Sequence, residues 1–570
     1  MTPATAPSCR AGWRDAVLLA LLAALLALAA CAIRHMLAPL DGGQPALSLD
    51  PGALPLYALR STARMLLAMA ASLLFALVYA TAAAKSRHAE KVLIPLLDIL
   101  QSVPILGYLS ATAAFFVALA PHTYLGAELA SVFAIFTSQA WNMAFSFYQA
   151  LRTVPHDLDE VCQGFRLSAW QRFWRLEFPF AVPGLLWNAM MSMSGGWFFV
   201  VASEAIAVGT LRIDLPGIGS YAAKATRLGD LHAIGYAIGA MLLTILAYDQ
   251  LLFRPLAAWA DKYRYEQTAA QAAPRSWLNA LYRRAGPVRA LGERGAAWAQ
   301  AIGGARLALP GTLSRLAAKP AVQKLCGRLF YLATLAALIW LVAAAYGKVA
   351  GKLGLEDVAA ALRGGLLTLV RVALLVTVAS LVWVPAGVLI GLRPRLAEKV
   401  QPLIQFLAAF PVNLLYPVFV LLIVRYQLSP VWWLSPLMIF GTQWYILFNV
   451  IAGATAFPGD FREAAAVFHI RRWRWWRQVM LPGIFPYYVT GAITASGGSW
   501  NASIVAEWVS WGATTLDGGG LGAYIARMTQ AGDFARIALG VAVMSLMVVI
   551  MNRALWRPLH AFAERRTRLD

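Results

Sequence analysis

Charge is what this chain has least of. Lysine, arginine, aspartate and glutamate make up 13% of its 570 residues, where an ordinary soluble domain carries about 25%. A water-facing surface cannot be built over a core this large from so few charges, which excludes a soluble globular protein. Cysteine is also scarce. Cys9, Cys31, Cys162 and Cys326 have no disulfide or metal-ligand spacing, and the seven histidines do not cluster, so no redox or metal site is expected. No Gly-x-x-x-x-Gly-Lys-Ser/Thr phosphate loop occurs, and the Gly518-Gly519-Gly520 stretch is not followed by lysine. The chain therefore lacks the cradle for hydrolysing a nucleotide itself. No Ser-His-Asp or Cys-His grouping suggests covalent catalysis. Neither a catalytic residue nor a cofactor of its own is expected.

What is present in excess is apolar sequence, 60% of the chain. It falls in about twelve runs near the length of roughly 20 residues that a helix needs to cross a hydrocarbon core. In the first half they lie near 16–38, 62–84, 92–119, 126–150, 184–208 and 232–253. In the second they lie near 329–347, 364–391, 401–425, 431–456, 486–511 and 534–553. Gly and Pro inside them are compatible with membrane helices. The expected fold is an all-α integral membrane protein. Its net charge of +21 reflects the positive-inside rule and needs no nucleic-acid partner. Lys85, Arg87 and Lys91 follow the second run; Arg166, Arg172 and Arg175 the fourth; Arg393, Arg395 and Lys399 the eighth; Arg471, Arg472, Arg474 and Arg477 the tenth. This places both termini and those loops in the cytoplasm, with loops 209–231 and 512–533 on the other side. Leu28-Ala29-Ala30-Cys31 resembles a lipoprotein cleavage box, but the matching run 329–347 cannot be a signal. The first run is expected to be a retained helix and Cys31 to stay unprocessed.

The chain also repeats itself at an offset of 303. Pro155, Glu160, Trp170, Pro179, Pro183, Trp197, Glu204, Gly217, Gly219, Tyr221, Gly229, Asp230 and Arg254 recur as Pro458, Glu463, Trp473, Pro482, Pro486, Trp500, Glu507, Gly520, Gly522, Tyr524, Gly532, Asp533 and Arg557. An ungapped offset over about a hundred residues is a tandem duplication. Six runs per half is an even number, so the second copy enters in the same orientation. The repeats are parallel, related by an axis along the membrane normal. The expected division is a first repeat over 1–253, a basic cytoplasmic linker over 254–328 and a second repeat over 329–570. The linker holds thirteen basic and three acidic residues and is read as a solvated tether with some helix. Pieces of it have the basic amphipathic character that is drawn to membrane lipid.

Fidelity between the copies is highest from the loop after the fourth run onward. That loop spans 150–183 in one copy and 456–486 in the other. Each starts with a proline, carries acid in a first helical turn, then holds a basic aromatic stretch with Trp170 and Trp174 or Trp473 and Trp476. Each closes at Pro179 or Pro482. Two short helices are more than a connection needs, and building them twice suggests docking surfaces for two copies of a partner.

Here the chain resembles the permease subunits of bacterial ATP-binding-cassette importers. The copy Glu463-Ala464-Ala465 to Leu481-Pro482 follows that family's cytoplasmic loop, and Glu160-Val161-Cys162 to Phe178-Pro179 follows it less fully. Arg166 and His469 stand where the family usually has glycine. Ser194–Glu204 and Ser496–Glu507, followed by GIGSY and GLGAY, resemble the nitrate/sulfonate/taurine branch, and the fused layout resembles its duplicated anion-type permeases. The resemblance implies a subunit of an importer for a small anion, such as a sulfonate or nitrate. It implies coupling loops that dock on two separate ATPase subunits, which bind the ATP and Mg. It also implies a periplasmic or lipid-anchored solute-binding protein, and residence in the bacterial inner membrane. The coupling residues it implies are Glu160, Arg166, Trp170, Pro179, Glu463, Ala464, Ala465, His469, Trp473 and Pro482.

Polar groups inside apolar runs face a cavity or a neighbouring helix. On that ground Gln139, Asn142, Gln443, Ser499, Asn501 and Ser503 are candidates for a translocation path. Glu204 and Glu507 would repel an anion and are expected to be structural or gating groups, bonded to the turn that follows. The pairs Gly195-Gly196 and Gly497-Gly498 allow either a helix break or close packing. Asn501 and Ser503 stand where the first copy has Phe198 and Val200, so any site is asymmetric. An ion-coupled secondary transporter with parallel duplicated repeats is the other reading. It would need an intramembrane relay of ionisable residues, of which there are few.

Overall fold

The protein is described from a computed structural model covering residues 47–121, 123–208, 211–263, 286–305, 351–457 and 459–567, with isolated positions between 278 and 347. The first half contains α1 (Leu54–Lys85), α2 (Arg87–Ser102), α3 (Ile105–Leu119), α4 (Leu125–Arg152), α5 (His156–Gly164), α6 (Phe178–Glu204), α7 (Ile218–Leu228) and α8 (Leu231–Tyr248). Helix α9 (Gly286–Gly304) belongs to the linker. The second half contains α10 (Leu355–Gly391), α11 (Pro394–Ala409), α12 (Tyr416–Arg425), α13 (Gln443–Thr455), α14 (Gly459–Val467), α15 (Leu481–Ala506), α16 (Leu521–Ala531), α17 (Phe534–Met551) and α18 (Arg557–Thr567). The order of α1–α8 thus recurs as α10–α17. Wide π turns recur with it: Phe173–Glu177 with Trp476–Met480, and Asp249–Phe253 with Asn552–Trp556.

Each helix has a sequence reason for its course. α1 buries a stripe of small residues, Ser61, Ala68, Ser72, Ala76, Ala80 and Ala83, which lets α4 approach closely. Its other side shows Leu74 and Val78 about two-thirds exposed, as suits a lipid-facing wall. α10 repeats the scheme with Gly365, Thr368, Ala379, Gly387 and Gly391 inward and Val370 and Leu381 outward. The repeated Gly-Asp pairs end one helix and start the next. Gly229 and Gly532 take left-handed φ of 69° and 70°, a conformation open to glycine at little cost. Asp230 and Asp533 then accept the amide hydrogens of Ala233 and Arg536 at 3.0 and 3.1 Å, capping α8 and α17.

Among the described residues, five helices are long and apolar enough to cross a membrane: Pro51–Lys85, Ala169–Glu204, Leu231–Ala260, Leu355–Gly391 and Phe534–Phe562. Counting each bent helix pair as one span raises this to eight. The molecule is a multi-span, helical membrane protein. α4 and α15 also match expected runs but do not meet the same measure; they carry five of the six candidate path residues, and Gln443 begins α13. The run 16–38, with Cys31, lies outside the described residues, as do eight of the nineteen residues of 329–347.

Several runs differ in form from their expectation. The run 92–119 is not one helix: α2 and α3 are bent by 99° about Pro104. The run 401–425 is broken by 71° about Pro411. In both, the residue before the proline, Val103 or Phe410, is extended, because a following proline ring excludes the helical region. The run 431–456 is bent by 41° between Pro430–Phe440 and Gln443–Thr455, a stretch holding Pro436 and Gly441. The runs 184–208 and 486–511 end early. Ala205–Val208 (β1) pairs antiparallel with Leu211–Asp214 (β2), and Trp508–Trp511 (β3) with Thr514–Asp517 (β4).

The halves interlock through the two broken elements. Leu106, just after Pro104, is buried in the core of the second half, and Leu414, just after Pro411, is buried in the core of the first.

Candidate functional site

The two repeated loops adopt one architecture. α5 and α14 each end in a left-handed residue, Arg166 at φ 49° and His469 at φ 52°. Leu167 donates to the Cys162 carbonyl at 3.1 Å and Arg166 to Gln163 at 2.9 Å; Ile470 donates to Ala465 at 2.9 Å and His469 to Ala466 at 3.1 Å. This paired ending is the one glycine usually makes. The chain makes it without glycine, at the two positions where the resemblance leads one to look for it. Cys162 and Ala465 point inward and are buried. Burial pushes the Cys162 thiol above its ordinary pKa, so it is a protonated, small apolar filler.

Other residues of these loops face solvent. Glu160 is exposed and pairs only with exposed His156, at 3.1 Å, a contact of little energetic weight. Arg166, Glu463, Ala464 and His469 are exposed too. Sequence reasoning missed the most prominent feature: Phe165 and Phe468, at matching positions, are each 75% exposed, with Val161 and Val467 beside them at 52% and 73%. Both aromatics precede the left-handed residue, a signal that was available in the alignment of the copies. Pro179 and Pro482 lie in the first turns of α6 and α15, where a missing amide hydrogen costs nothing.

The loops are fastened differently. In the first, Arg172 bridges Asp159 at 2.9 Å and Glu177 at 3.1 Å, and Lys85 reaches Glu177 at 3.0 Å. Ser168 caps the short helix Ala169–Arg172 in a capping box with Gln171. The end of α9 docks there: the Trp170 indole donates to the Ile302 carbonyl, and the Gln171 amide to that of Gly304, both at 2.8 Å. In the second loop Arg471 occupies the cap position with no capping hydrogen bond, and Trp473 is 71% exposed.

At the opposite ends of α6 and α15 stand two buried ionic clamps. Glu204 accepts from Ser61 at 2.6 Å, Arg64 at 2.7 Å and the Gly219 amide at 2.6 Å. Arg64 also holds Glu128 at 2.6 and 2.7 Å. Glu507 accepts from Thr368 and Arg371, both at 2.9 Å, and from the Gly522 amide at 2.8 Å. Arg371 meets no second carboxylate among the described residues; it donates instead to the carbonyls of Val431, Gly518 and Gly519. Each glutamate therefore binds the turn that follows it, as expected. Their arginine partners were missed, although Ser61-x-x-Arg64 and Thr368-x-x-Arg371 are a repeated basic intrusion in apolar runs. Gly219 and Gly522 are needed for this approach, since a Cβ there would strike the Val201 or Ser503 carbonyl.

Between the halves lies a cavity of about 230 Å³, which shares Gly195, Phe199, Tyr445, Gly498 and Asn501 with an adjoining pocket of about 80 Å³. Of the candidate path residues, Asn142 and Asn501 line it. Asn501 also accepts the Ile105 amide hydrogen at 2.6 Å, so a side chain of the second half caps the first turn of α3. Gln139 lies outside the lining, buried against Met65 with its amide 3.0 Å from the sulfur. Gln443 is held by the Trp383 indole at 2.9 Å. Ser499 bonds to Thr442 at 3.0 Å, and Ser503 back-bonds to the Trp500 carbonyl at 2.8 Å. Neither glycine pair breaks its helix. Gly196 packs against Gln139 and Met65, and Gly498 against Thr442. Thr137, Ser138, Ser192, Thr494 and Asn552 also line the cavity. Among the described residues, no charged side chain lines either pocket.

Known proteins share this sequence pattern. The bicarbonate transport system permease protein CmpB of Synechococcus elongatus is 29% identical over 187 residues, 33% of this chain and 64% of that protein. The nitrate import permease protein NrtB of Leptolyngbya laminosa is 26% identical over 186 residues, 32% of this chain and 63% of its own length. The match thus spans just under two thirds of these relatives. The model of one family covers both halves, at residues 53–251 and 384–561. With its helices and loops repeated across those two stretches, the chain belongs to the binding-protein-dependent transport system inner membrane components.

Proposed function

We propose that this chain is the complete membrane pathway of an ATP-driven importer for a small anion, formed by two parallel repeats of six spans each. In this reading 1–253 and 329–570 are the repeats and 254–328 is a cytoplasmic linker. Both termini are cytoplasmic. The loops 150–183 and 456–486 each receive one separate ATPase subunit, and a solute-binding protein delivers substrate on the opposite face. The observation that carries the proposal is the matched pair Phe165 and Phe468, equally exposed on short helices outside the apolar bundle. An exposed aromatic beside an exposed glutamate, built twice at an offset of 303 residues, suits a hydrophobic anchor with a charged rim in a partner's groove.

The substrate class follows from the cavity and the relatives. Bicarbonate and nitrate, named in the two relatives, are small singly charged oxyanions. The described lining offers amide, hydroxyl and indole groups, and among the described residues it holds no carboxylate to repel such an anion and no lysine or arginine to trap one. Asn142 and Asn501 are the path residues we assign; Phe198 at the position matching Asn501 makes the path asymmetric.

The test replaces Glu463 with Lys and Phe468 with Ser, singly, and measures ATPase binding to the purified chain alongside uptake in vesicles. Each change is expected to lower binding by at least tenfold, the scale of a few kcal/mol for a desolvated anchor or charge pair, while the chain stays folded. Unchanged binding and uptake would refute the docking assignment. Uptake by the chain alone, driven by an ion gradient, would favour the secondary-transporter reading.

A further inference from the structure

The second loop differs from the first in a way that docking alone does not explain. Where the first copy has Ser168, Ala169, Gln171 and Trp174, the second has Arg471, Arg472, Arg474 and Arg477. The exchange has two structural costs. The capping box of Ser168 and Gln171 is lost, and Arg472 is held at a left-handed φ of 54°. Strain of this kind persists where the site has a use for it. All four arginines are exposed, and no ion pair with a carboxylate holds any of them among the described residues.

Beside them opens the largest apolar groove described, about 810 Å³, walled by Leu381 and Val384 of α10, Leu481 and Phe485 of α15, and Phe562 of α18. Trp473, Trp476 and Arg477 form its mouth, and Ser380 is bonded to Tyr488 within it at 3.1 Å. An apolar slot with indoles and guanidinium groups at its rim has the amphipathic order of a membrane leaflet.

We propose that this groove binds an anionic phospholipid of the cytoplasmic leaflet, with an acyl chain between α10 and α15 and the phosphate among Arg471, Arg474 and Arg477. At the matching mouth in the first copy, α9 ends on Trp170 and Gln171. The same mouth thus carries a linker helix in one copy and a lipid headgroup in the other. The placement in the cytoplasmic leaflet rests on the orientation proposed above. Lipid retention and ATPase binding are separate measurements, so failure of one is distinguishable from failure of the other.

The test is native mass spectrometry of the full chain released from detergent, with added phosphatidylglycerol or phosphatidylcholine of equal chain length. Phosphatidylglycerol is expected to be retained selectively. The pair Arg474→Gln and Arg477→Gln is expected to lower its retention about twenty-fivefold, at about fivefold per arginine, while Arg474→Lys and Arg477→Lys retain it. Arg393→Gln with Arg395→Gln, on another cytoplasmic stretch, is expected to leave it unchanged. Val384→Trp should expel the acyl chain. Equal retention of both lipids, indifference to the arginine pair, or displacement of the lipid by inorganic phosphate would overturn the proposal. So would a photo-cross-link from position 384 into residues 329–347, which would show the chain's own apolar run in the groove.

Discussion

Arg64 and Arg371 occupy matching places in α1 and α10, yet their surroundings are not equivalent. Arg64 is shared by Glu128 and Glu204. Among the described residues, Arg371 has Glu507 as its one carboxylate and otherwise meets backbone carbonyls. Breaking a buried pair by removing one partner costs about 3–5 kcal/mol, because the other charge is left uncompensated. Glu507→Gln is therefore expected to cost close to that full amount. Glu204→Gln leaves Arg64 with Glu128 and is expected to cost distinctly less. Thermal unfolding of the purified variants orders them, and equal losses would show that Glu128 gives Arg64 no compensation. Since each glutamate also holds the amide of the next helix, Gly219 or Gly522, these clamps tie α6 to α7 and α15 to α16. They stand at the mouths of the hairpins β1–β2 and β3–β4, and neither glutamate is among the residues that line the cavity.

At the scale of elements, α9 belongs to neither repeat yet rests on the first. Most of it is exposed, with Trp298 73% accessible, and its last residues are where it meets the first loop. Trp170 and Gln171 satisfy two carbonyls at its C-terminal end, the groups a helix leaves without internal partners. Two such hydrogen bonds are worth about 0.5–1.5 kcal/mol each. Trp170→Phe combined with Gln171→Ala is expected to raise cleavage within 286–305 severalfold in limited proteolysis of the intact chain. Trp473→Phe, at the matching exposed position, is expected to leave that rate unchanged. No change in the double variant would mean that α9 is held by contacts other than these. The first loop is braced by Arg172 and seated under α9. The second keeps the fuller Glu-Ala-Ala pattern and the open tryptophan, and is the more sensitive docking site in the proposed function.

At the scale of the whole molecule, the two halves are joined by exchange as well as by the linker. Leu106 enters the second core, Leu414 enters the first, and Asn501 caps α3 across the boundary. A chain in which each half completes the other has no need of a second copy to enclose the cavity. With a docking loop in each half, one chain is expected to bind two ATPase subunits. Native mass spectrometry of the assembled transporter checks this, and two permease chains per two ATPases would contradict it.

The sequence by itself determined the membrane setting, the duplication and the two loops. Each is written in local composition: apolar runs of spanning length, an ungapped offset of 303, and clustered tryptophan, arginine and proline. The glutamates were legible as turn-binding groups for the same reason, because their recurring glycines lie only fifteen residues further on, at Gly219 and Gly522. Tertiary structure alone decided which faces meet. Proline is tolerated inside membrane helices, so Pro104 and Pro411 did not announce bends of 99° and 71°. Gln139 and Asn142 are three residues apart on α4, yet one is buried against Met65 and the other lines the cavity. A polar residue in an apolar run must face away from lipid, but the run does not say whether a cavity or a neighbouring side chain receives it. That choice belongs to the packing of helices far apart in the chain, as in Arg64 with Glu204, 140 residues on.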